Sequence, residues 1–406
     1  MEINAIARAL RRRVWVQGLV LGAALAAAST ANADAAPFSI ETALSNGSKA
    51  SLTVGGYVDA FYQWNFNNPS NGVTNYRAFD NRHNTFTISN AVLDLAGKVS
   101  FVSANVILQV GHTPESYYLA EPSSPASSGA GASGANVWKY LQAATLGMRF
   151  PIGRGLYLDG GLMVSPVGPE TFHPKDQWTN SHSNLFFGNP FYHTGIKLSY
   201  PFTERLTVYF HVHNGWNSVV DNNSEKTMTF EVAYNHPDKL VVEAIYMTGV
   251  ERPRGAPEGR AWRHLFDAYG TYYPTKWLAL QVNLNGGVEP NHFGTSWWAA
   301  GSGALRVIPL SWLRLAARGD YFSEKVGSSS RGTASSIFWP VPWMASFNFC
   351  IELRPFDNAL LRFEFRHDEA GGQAFFKGQV PSNLDGSVQM NARAQETLTA
   401  GLSTWF

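Results

Sequence analysis

The chain has 406 residues, 31 Lys and Arg against 30 Asp and Glu, and a single cysteine. The balanced charge gives no sign of a nucleic-acid binder, and one cysteine excludes a disulfide-stapled secreted domain. Aromatics reach 14% while charged residues stay at 15%, a composition that suits a wall with a lipid face.

Arg8, Arg11, Arg12 and Arg13 precede an apolar run from Val14 to Ala28, and Ala31-Asn32-Ala33 follows. A basic region, a short apolar region and an A-x-A site predict a secretory signal peptide over 1–33. The run is shorter than the ~20 residues a spanning helix needs, and no Leu-x-x-Cys lipid-attachment site is present. Cleavage would remove four Arg and one Glu, leaving 27 basic and 29 acidic residues, a net charge of −2. A short N-terminal segment, 34–50, would then lead into a barrel over 51–406. That segment is too short to hold the plug domain of a gated transporter.

Beyond it the apolar residues alternate. Leu52, Val54, Val58, Ala60, Tyr62 and Trp64 share one face of a strand, and Thr53, Tyr57, Asp59, Phe61 and Gln63 the other. Period two is the strand signature. The return strand, 83–97, slips phase near Asn90-Ala91, which predicts a bulge, and Gly97-Lys98 reads as a turn. Short turns are expected at 151–154, 201–204, 236–238, 274–275, 308–311 and 355–358. Long Gly-, Ser-, Asn- and Pro-rich loops are expected near 67–82, 113–137, 166–188, 217–225, 250–261, 289–295, 324–338 and 370–394. Mean hydropathy is slightly negative, as it is when alternation hides a lipid face.

Alternating short turns and long loops predict an all-β fold: a transmembrane antiparallel barrel of about sixteen strands, with periplasmic turns and extracellular loops. A soluble sandwich or propeller is the competing reading. The strand candidates are too long for it, since soluble strands average about five or six residues. No blade repeat is visible. Trp64, Trp216, Trp277, Trp297, Trp298, Trp312, Trp339 and Trp343 fall near strand ends, where interfacial girdles would place them.

In such a barrel the polar face of each strand lines the lumen. Arg or Lys on the lipid face would cost about 2–4 kcal/mol at mid-depth. The pore-lining candidates are therefore Asp59, Glu231, Glu243, Arg314, Arg318, Asp320, Arg362, Glu364, Arg366 and Asp368. Leu361, Phe363 and Phe365 should face lipid. Two readings of these charges stand: a wetted pore whose walls tune selectivity, or a salt-bridged, plugged lumen. No nucleophile lies beside a general base, so no enzyme activity and no cofactor are expected. His211 and His213 share an inner face, but two ligands do not make a metal site. Cys350 falls inward with Asn348 and Glu352. The closing residues 397–406 alternate as well, with Leu398, Leu402 and Phe406 outward. This tail resembles the C-terminal signal of outer-membrane barrels, and those three residues form a candidate assembly signal.

Several strings resemble the OmpL-like beta-barrel porin family of Gram-negative bacteria. They are Gly55-Gly56-Tyr57-Val58-Asp59-Ala60-Phe61-Tyr62, the run from Asn65 to Gly72, Phe79-Asp80-Asn81-Arg82-His83-Asn84, Phe191-Tyr192-His193-Thr194-Gly195, Asn214-Gly215-Trp216-Asn217, Val220-Asp221-Asn222-Asn223 and Trp262-Arg263-His264-Leu265-Phe266-Asp267. The resemblance implies an outer-membrane, porin-like channel. It brings neither a solute nor catalytic residues. The function expected is passive diffusion of small polar solutes or ions, with a substrate-selective channel or ligand-binding receptor barrel as the alternative. By position, the loop carrying Glu170, His173, Lys175 and Asp176 matches the third loop that narrows the channel in general porins. An exposed loop is the alternative. The partners expected are outer-membrane lipids, the barrel assembly machinery and small polar solutes, with no nucleic acid. Monomer and homotrimer both fit, because wall residues buried between subunits read like lipid-facing ones.

Overall fold

The computed structural model describes residues 38–44, 47–118, 121, 135–382 and 387–406. The signal-peptide reading over 1–33 and the start of the 34–50 segment lie outside the described residues. A first strand, β1 (Phe38–Ala43), precedes the barrel. The barrel follows with β2 (Lys49–Asn65), β3 (Thr85–Val99), β4 (Val102–Val110), β5 (Leu141–Phe150), β6 (Leu156–Val164), β7 (Tyr192–Pro201), β8 (Leu206–His213) and β9 (Thr227–His236). It continues through β10 (Leu240–Val250), β11 (Trp262–Thr275), β12 (Leu278–Asn291), β13 (Gly294–Leu310) and β14 (Leu313–Lys325). A two-rung hairpin, β15 (Ser328–Ser329) and β16 (Gly332–Thr333), decorates the next loop. The wall then resumes with β17 (Trp343–Phe356), β18 (Ala359–Ala370) and β19 (Ala394–Trp405). Each wall strand pairs antiparallel with the next, and β19 pairs with β2, so sixteen strands close the sheet on itself. Closure leaves no open edge within the wall, which is what lets a sheet cross lipid.

Alternation sets the two faces. Phe86, Leu146 and Phe363 are 87%, 69% and 50% exposed on the outside. Arg362, Glu364, Arg366 and Asp368 of the same β18 are buried on the inside. The expected bulge lies one residue early: Ser89 is skipped between the pairs Asp59↔Asn90 and Ala60↔Ile88. Strands run further than expected at several turns. The Gly97-Lys98 turn moves to Ser100-Phe101 because β3 stays paired to β2 as far as Val99. The turn expected at 274–275 falls at Lys276-Trp277. The long loop expected at 289–295 is instead a tight hairpin, with Asn291↔Gly294 as its last pair. Its Asn291 side chain accepts from the Phe293 amide at 2.9 Å, and Gly294 sits at φ +133°. The Asn and Gly that suggested a loop are the residues that make the turn tight.

The tryptophans divide in two. Trp64, Trp277, Trp297 and Trp312 are exposed on the outer face as expected. Trp298 and Trp339 are buried in an interior apolar cluster, with Trp216 packed against it. Neighbouring strand residues point to opposite faces, so Trp297 and Trp298 cannot both serve a girdle.

At the seam, β19 covers β2 from Asn65 down to Tyr57. Phe406 then exchanges backbone hydrogen bonds with Gly56, at 3.2 and 3.1 Å. The same edge of β2 is taken up below by β1, from Phe38↔Val54 to Ala43↔Lys49. First and last strands thus share one partner, end to end. The Phe406 ring lies over Gly56, where a Cβ would come within 2.9 Å of it. Leu398, Leu402 and Phe406 all face outward, while Trp405 is buried inside under the Arg354 guanidinium. Phe406→Asp should reduce the outer-membrane pool of heat-modifiable barrel several-fold, and Trp405→Ala should reduce it much less. Quantitative blotting of outer-membrane fractions checks this, and equal loss would remove Phe406 from the assembly role.

Candidate functional site

The lumen is organised by the loop between β6 and β7, residues 165–191. A loop inside a barrel must find partners for its backbone N–H and C=O groups. Here they come from charged side chains on three adjacent wall strands. Glu364 of β18 accepts from the amides of Asn180 at 2.7 Å and Ser181 at 3.1 Å. Asp320 of β14 accepts from the Asn184 amide at 3.2 Å and from its side chain at 2.8 Å. Arg318 donates to the Ser181 carbonyl and the Thr179 hydroxyl, both at 2.8 Å, and pairs with Glu170 at 2.7 Å. Arg362 donates to the carbonyls of Pro174, at 2.7 Å, and Gln177. Arg366 reaches the His182 carbonyl, and Arg354 of β17 the Lys175 carbonyl at 2.7 Å. The loop also folds on itself. Glu170 accepts from the Ser183 amide at 3.0 Å, and the Ser183 hydroxyl caps the short helix Asn184–Phe187.

Two features seat the loop closely. A Cβ at Gly401 of β19 would stand 2.2 Å from the Asn180 side-chain oxygen, so the loop approaches the wall closely at this inner-face position and a larger residue there would require the Asn180 side chain to shift. Trp178 packs in a cluster with Ala279, Ala316 and Cys350, small side chains of β12, β14 and β17. Nearer the long-loop end, two apolar clusters fill the interior. One gathers Leu185, Trp298, Phe322, Trp339 and Met344. The other gathers Phe79, Tyr117, Phe172, Phe186 and Tyr192. The first long loop turns inward too: Arg77 is fully buried between Asp80 and Asp368, the latter at 2.9 Å.

The opposite wall is different. Asp159 of β6 and Lys197 of β7 face each other at 3.4 Å and keep 27% and 30% of their side chains exposed. The lumen is therefore asymmetric, with β14, β17 and β18 sealed under the loop, while Asp159 and Lys197 of β6 and β7 stay accessible below the Leu162 and Tyr192 cluster. Cavities lie on both sides of the loop. One, near 400 Å³, opens at the short-turn end beside Tyr57, Asp94, His173, Lys175 and Arg354. The other, near 530 Å³, lies among the long loops beside Arg77, Phe187, Trp216, Glu251, Arg263 and Phe338.

All ten wall candidates sit on the inner face, but their surroundings differ. Arg318, Asp320, Arg362, Glu364, Arg366 and Asp368 are buried, all but Asp368 bonded directly to the loop. Asp59 accepts from Ser403 across the seam, and Arg314 pairs with Glu352 at 3.1 Å. Glu231 lies 3.3 Å from His211, and Glu243 accepts from the Tyr269 hydroxyl. In the loop, Glu170 is buried against Arg318, while His173 stands edge-on to Tyr57. Lys175 and Asp176 pair with each other at 3.0 Å and remain half exposed. Sequence reasoning missed Arg77, Asp80, Arg306 and Arg354. Arg306 and Arg354 keep the inward phase of their strands close to a turn, and extending the alternation to the rim finds them. Arg77 sits in a loop, where no periodicity marks it. His193 stacks beside His213 at 4.0 Å. No cluster of three or more His, Cys, Asp and Glu suited to a metal occurs among the described residues.

Residues 51–403 match the family model described as "Putative beta-barrel porin-2, OmpL-like". The chain belongs to this family. No curated protein matches the sequence significantly. Among solved structures, the fold is similar to an anion-selective porin from Comamonas acidovorans, with a TM-score of 0.57 and 11% identity over 88% of this chain and 100% of that one. It is also similar to the outer membrane channel DcaP of Acinetobacter baumannii, with a TM-score of 0.54 and 10% identity over 91% and 100%. A trimer form of OmpT from Vibrio cholerae gives a TM-score of 0.54 and 11% identity over 88% and 99%. At these identities the likeness is one of fold: the OmpL-like family member is a porin-type outer-membrane barrel.

Removing Glu364 leaves two loop amides without acceptors inside the barrel. Each such loss costs about 1–3 kcal/mol. Glu364→Ala should therefore loosen residues 180–184 by roughly 2 kcal/mol, about a thirtyfold rise in amide exchange there. The β-strand amides should be unaffected. Hydrogen–deuterium exchange on the detergent-solubilised barrel reads both regions, and unchanged protection at 180–184 would contradict the clamp.

Proposed function

We propose that this OmpL-like porin is a passive channel for small polar solutes or ions, its path narrowed by the 165–191 loop. The observation carrying this reading is the inner-facing Asp159 and Lys197 pair opposite the loop, which remains partly accessible. Solutes would pass between that wall and the loop, and would meet the loop's Lys175 and Asp176 on the short-turn side. The charges tied to the loop act by holding it, and those at its margins set the field. The signal peptide over 1–33 would deliver the chain to the outer membrane, and the Leu398, Leu402 and Phe406 face would direct assembly. The OmpT trimer makes a homotrimer a reasonable assembly to test by cross-linking.

A substrate-selective channel is favoured by a separate observation: the two apolar clusters occupy much of the outer half of the interior. That packing leaves less free cross-section than the strand number implies. Membership of a porin family supports a channel rather than an enzyme.

Planar-bilayer recording of the purified protein tests the proposal. Stable unitary steps of ohmic conductance are expected, smaller than those of an unobstructed sixteen-stranded pore. Glu364→Ala or an Arg318→Ala, Arg362→Ala double variant should raise the conductance or its noise by freeing the loop. A folded barrel with no conductance in any variant would remove the channel reading. Block by one solute class would favour the selective channel.

A further inference from the structure

The arginines on the loop-bearing wall fall into two groups with opposite charge balance. On the long-loop side, Arg77, Arg318 and Arg366 lie among Asp80, Glu170, Asp320, Glu364 and Asp368. There the carboxylates outnumber the guanidiniums, and loop amides satisfy the excess. On the short-turn side the ratio reverses. Glu352 of β17 accepts from Arg314 at 3.1 Å, Arg354 at 2.6 Å and Arg362 at 2.8 Å. One carboxylate therefore serves three guanidiniums.

Arg306 of β13 adds a fourth. It sits directly across from Ala316 in the ladder. Arg314, two residues before Ala316, is then its diagonal neighbour, close enough for long side chains to meet. Among the described residues, Arg306 has no acidic partner within ion-pair distance. Its guanidinium lies 4.6 Å over the Trp178 ring of the loop. The Nε groups of Arg306 and Arg314 are buried and have no hydrogen-bond partner. Asp94 of β3 and Asp357 of the β17–β18 turn line the cavity beside Arg354, and Asp176 is taken by Lys175.

We propose that Arg306 and Arg314, with the surplus charge of Arg354 and Arg362 behind them, form a binding site for small oxyanions, carboxylates above all, at the short-turn mouth. The outer N–H groups of a guanidinium form a planar fork that matches a carboxylate's paired oxygens. A guanidinium already stacked on an indole is oriented before a ligand arrives. Within the channel reading proposed above, on which its transport role rests, the site makes anions the permeant class. Around Glu352 four guanidiniums outnumber one carboxylate, and a local positive field on that side of the mouth concentrates anions and repels cations, with Asp94 and Asp357 across it setting how strongly.

The test uses citrate as probe, at low ionic strength because the attraction is screened by salt. Titration calorimetry on the full barrel in detergent should show citrate binding. Arg306→Gln and the Arg306→Gln, Arg314→Gln double variant should weaken it at least tenfold, and Arg306→Lys should weaken it less. Arg354 and Arg362 are left intact because they hold the loop, and heat-modifiable mobility confirms folding. Absence of citrate binding by the unaltered protein, or equal binding by Arg306→Gln, would overturn the site. Zero-current potentials in a KCl gradient address transport separately. Anion preference that falls several-fold in Arg306→Gln supports the role, and an unchanged preference overturns it. Citrate binding without any conductance would keep the site and remove the channel reading.

Discussion

Everything inside this barrel depends on one requirement: a stretch of irregular backbone at membrane depth must have its polar groups bonded. The wall supplies those bonds with charge. Carboxylates of Glu364 and Asp320 take the loop's amides, and guanidiniums of Arg318, Arg362 and Arg366 take its carbonyls. Charged partners form the stronger hydrogen bonds, and their mutual pairing within the wall limits the cost of burying them. The loop and the wall therefore specify each other. Without the loop, the buried charges of β14 and β18 would face water or one another. Without those charges, the loop would have no reason to lie down.

This mutual dependence gives the lumen its asymmetry. The loop is held by neighbouring strands, so it covers one wall and leaves Asp159 and Lys197 across the lumen accessible. Gly401 and the small residues under Trp178 let it approach the wall closely. The apolar clusters near the long-loop end continue the packing begun by the helix Asn184–Phe187, whose Leu185 and Phe186 enter different clusters. A sixteen-stranded wall thus encloses a path whose width is decided by side-chain and loop packing more than by strand number. The charge surplus around Glu352 lies where that packing ends and the mouth begins.

The outer face was legible in the sequence because lipid imposes a simple rule at every second residue. Val58, Phe363, Phe365 and Phe406 obey it, and so the barrel, its seam and its inward charges could be read directly. The strand number followed from counting turns and loops. What lay beyond reading was partnership. Arg318 and Glu364 look alike as inward charges whether they face water or a loop carbonyl, because alternation reports only direction. Trp298 and Trp339 look like girdle residues until the interior is seen to hold an apolar core. The Asn291–Gly294 hairpin passed for a long loop because tight turns and long loops draw on the same residues.

The central claim is the position of the loop against β19, and a site-directed disulfide tests it most directly. Gly401 and Asn180 come so close that a Cβ on the glycine would meet the asparagine side chain. Cysteines at both positions should fall near the roughly 3.8 Å Cβ separation a disulfide requires. In a Cys350→Ser background, Asn180→Cys with Gly401→Cys should cross-link on mild oxidation in isolated outer membranes, seen as a mass-spectrometric peptide pair. Failure to cross-link in a barrel that assembles normally would place the loop elsewhere and contradict the account.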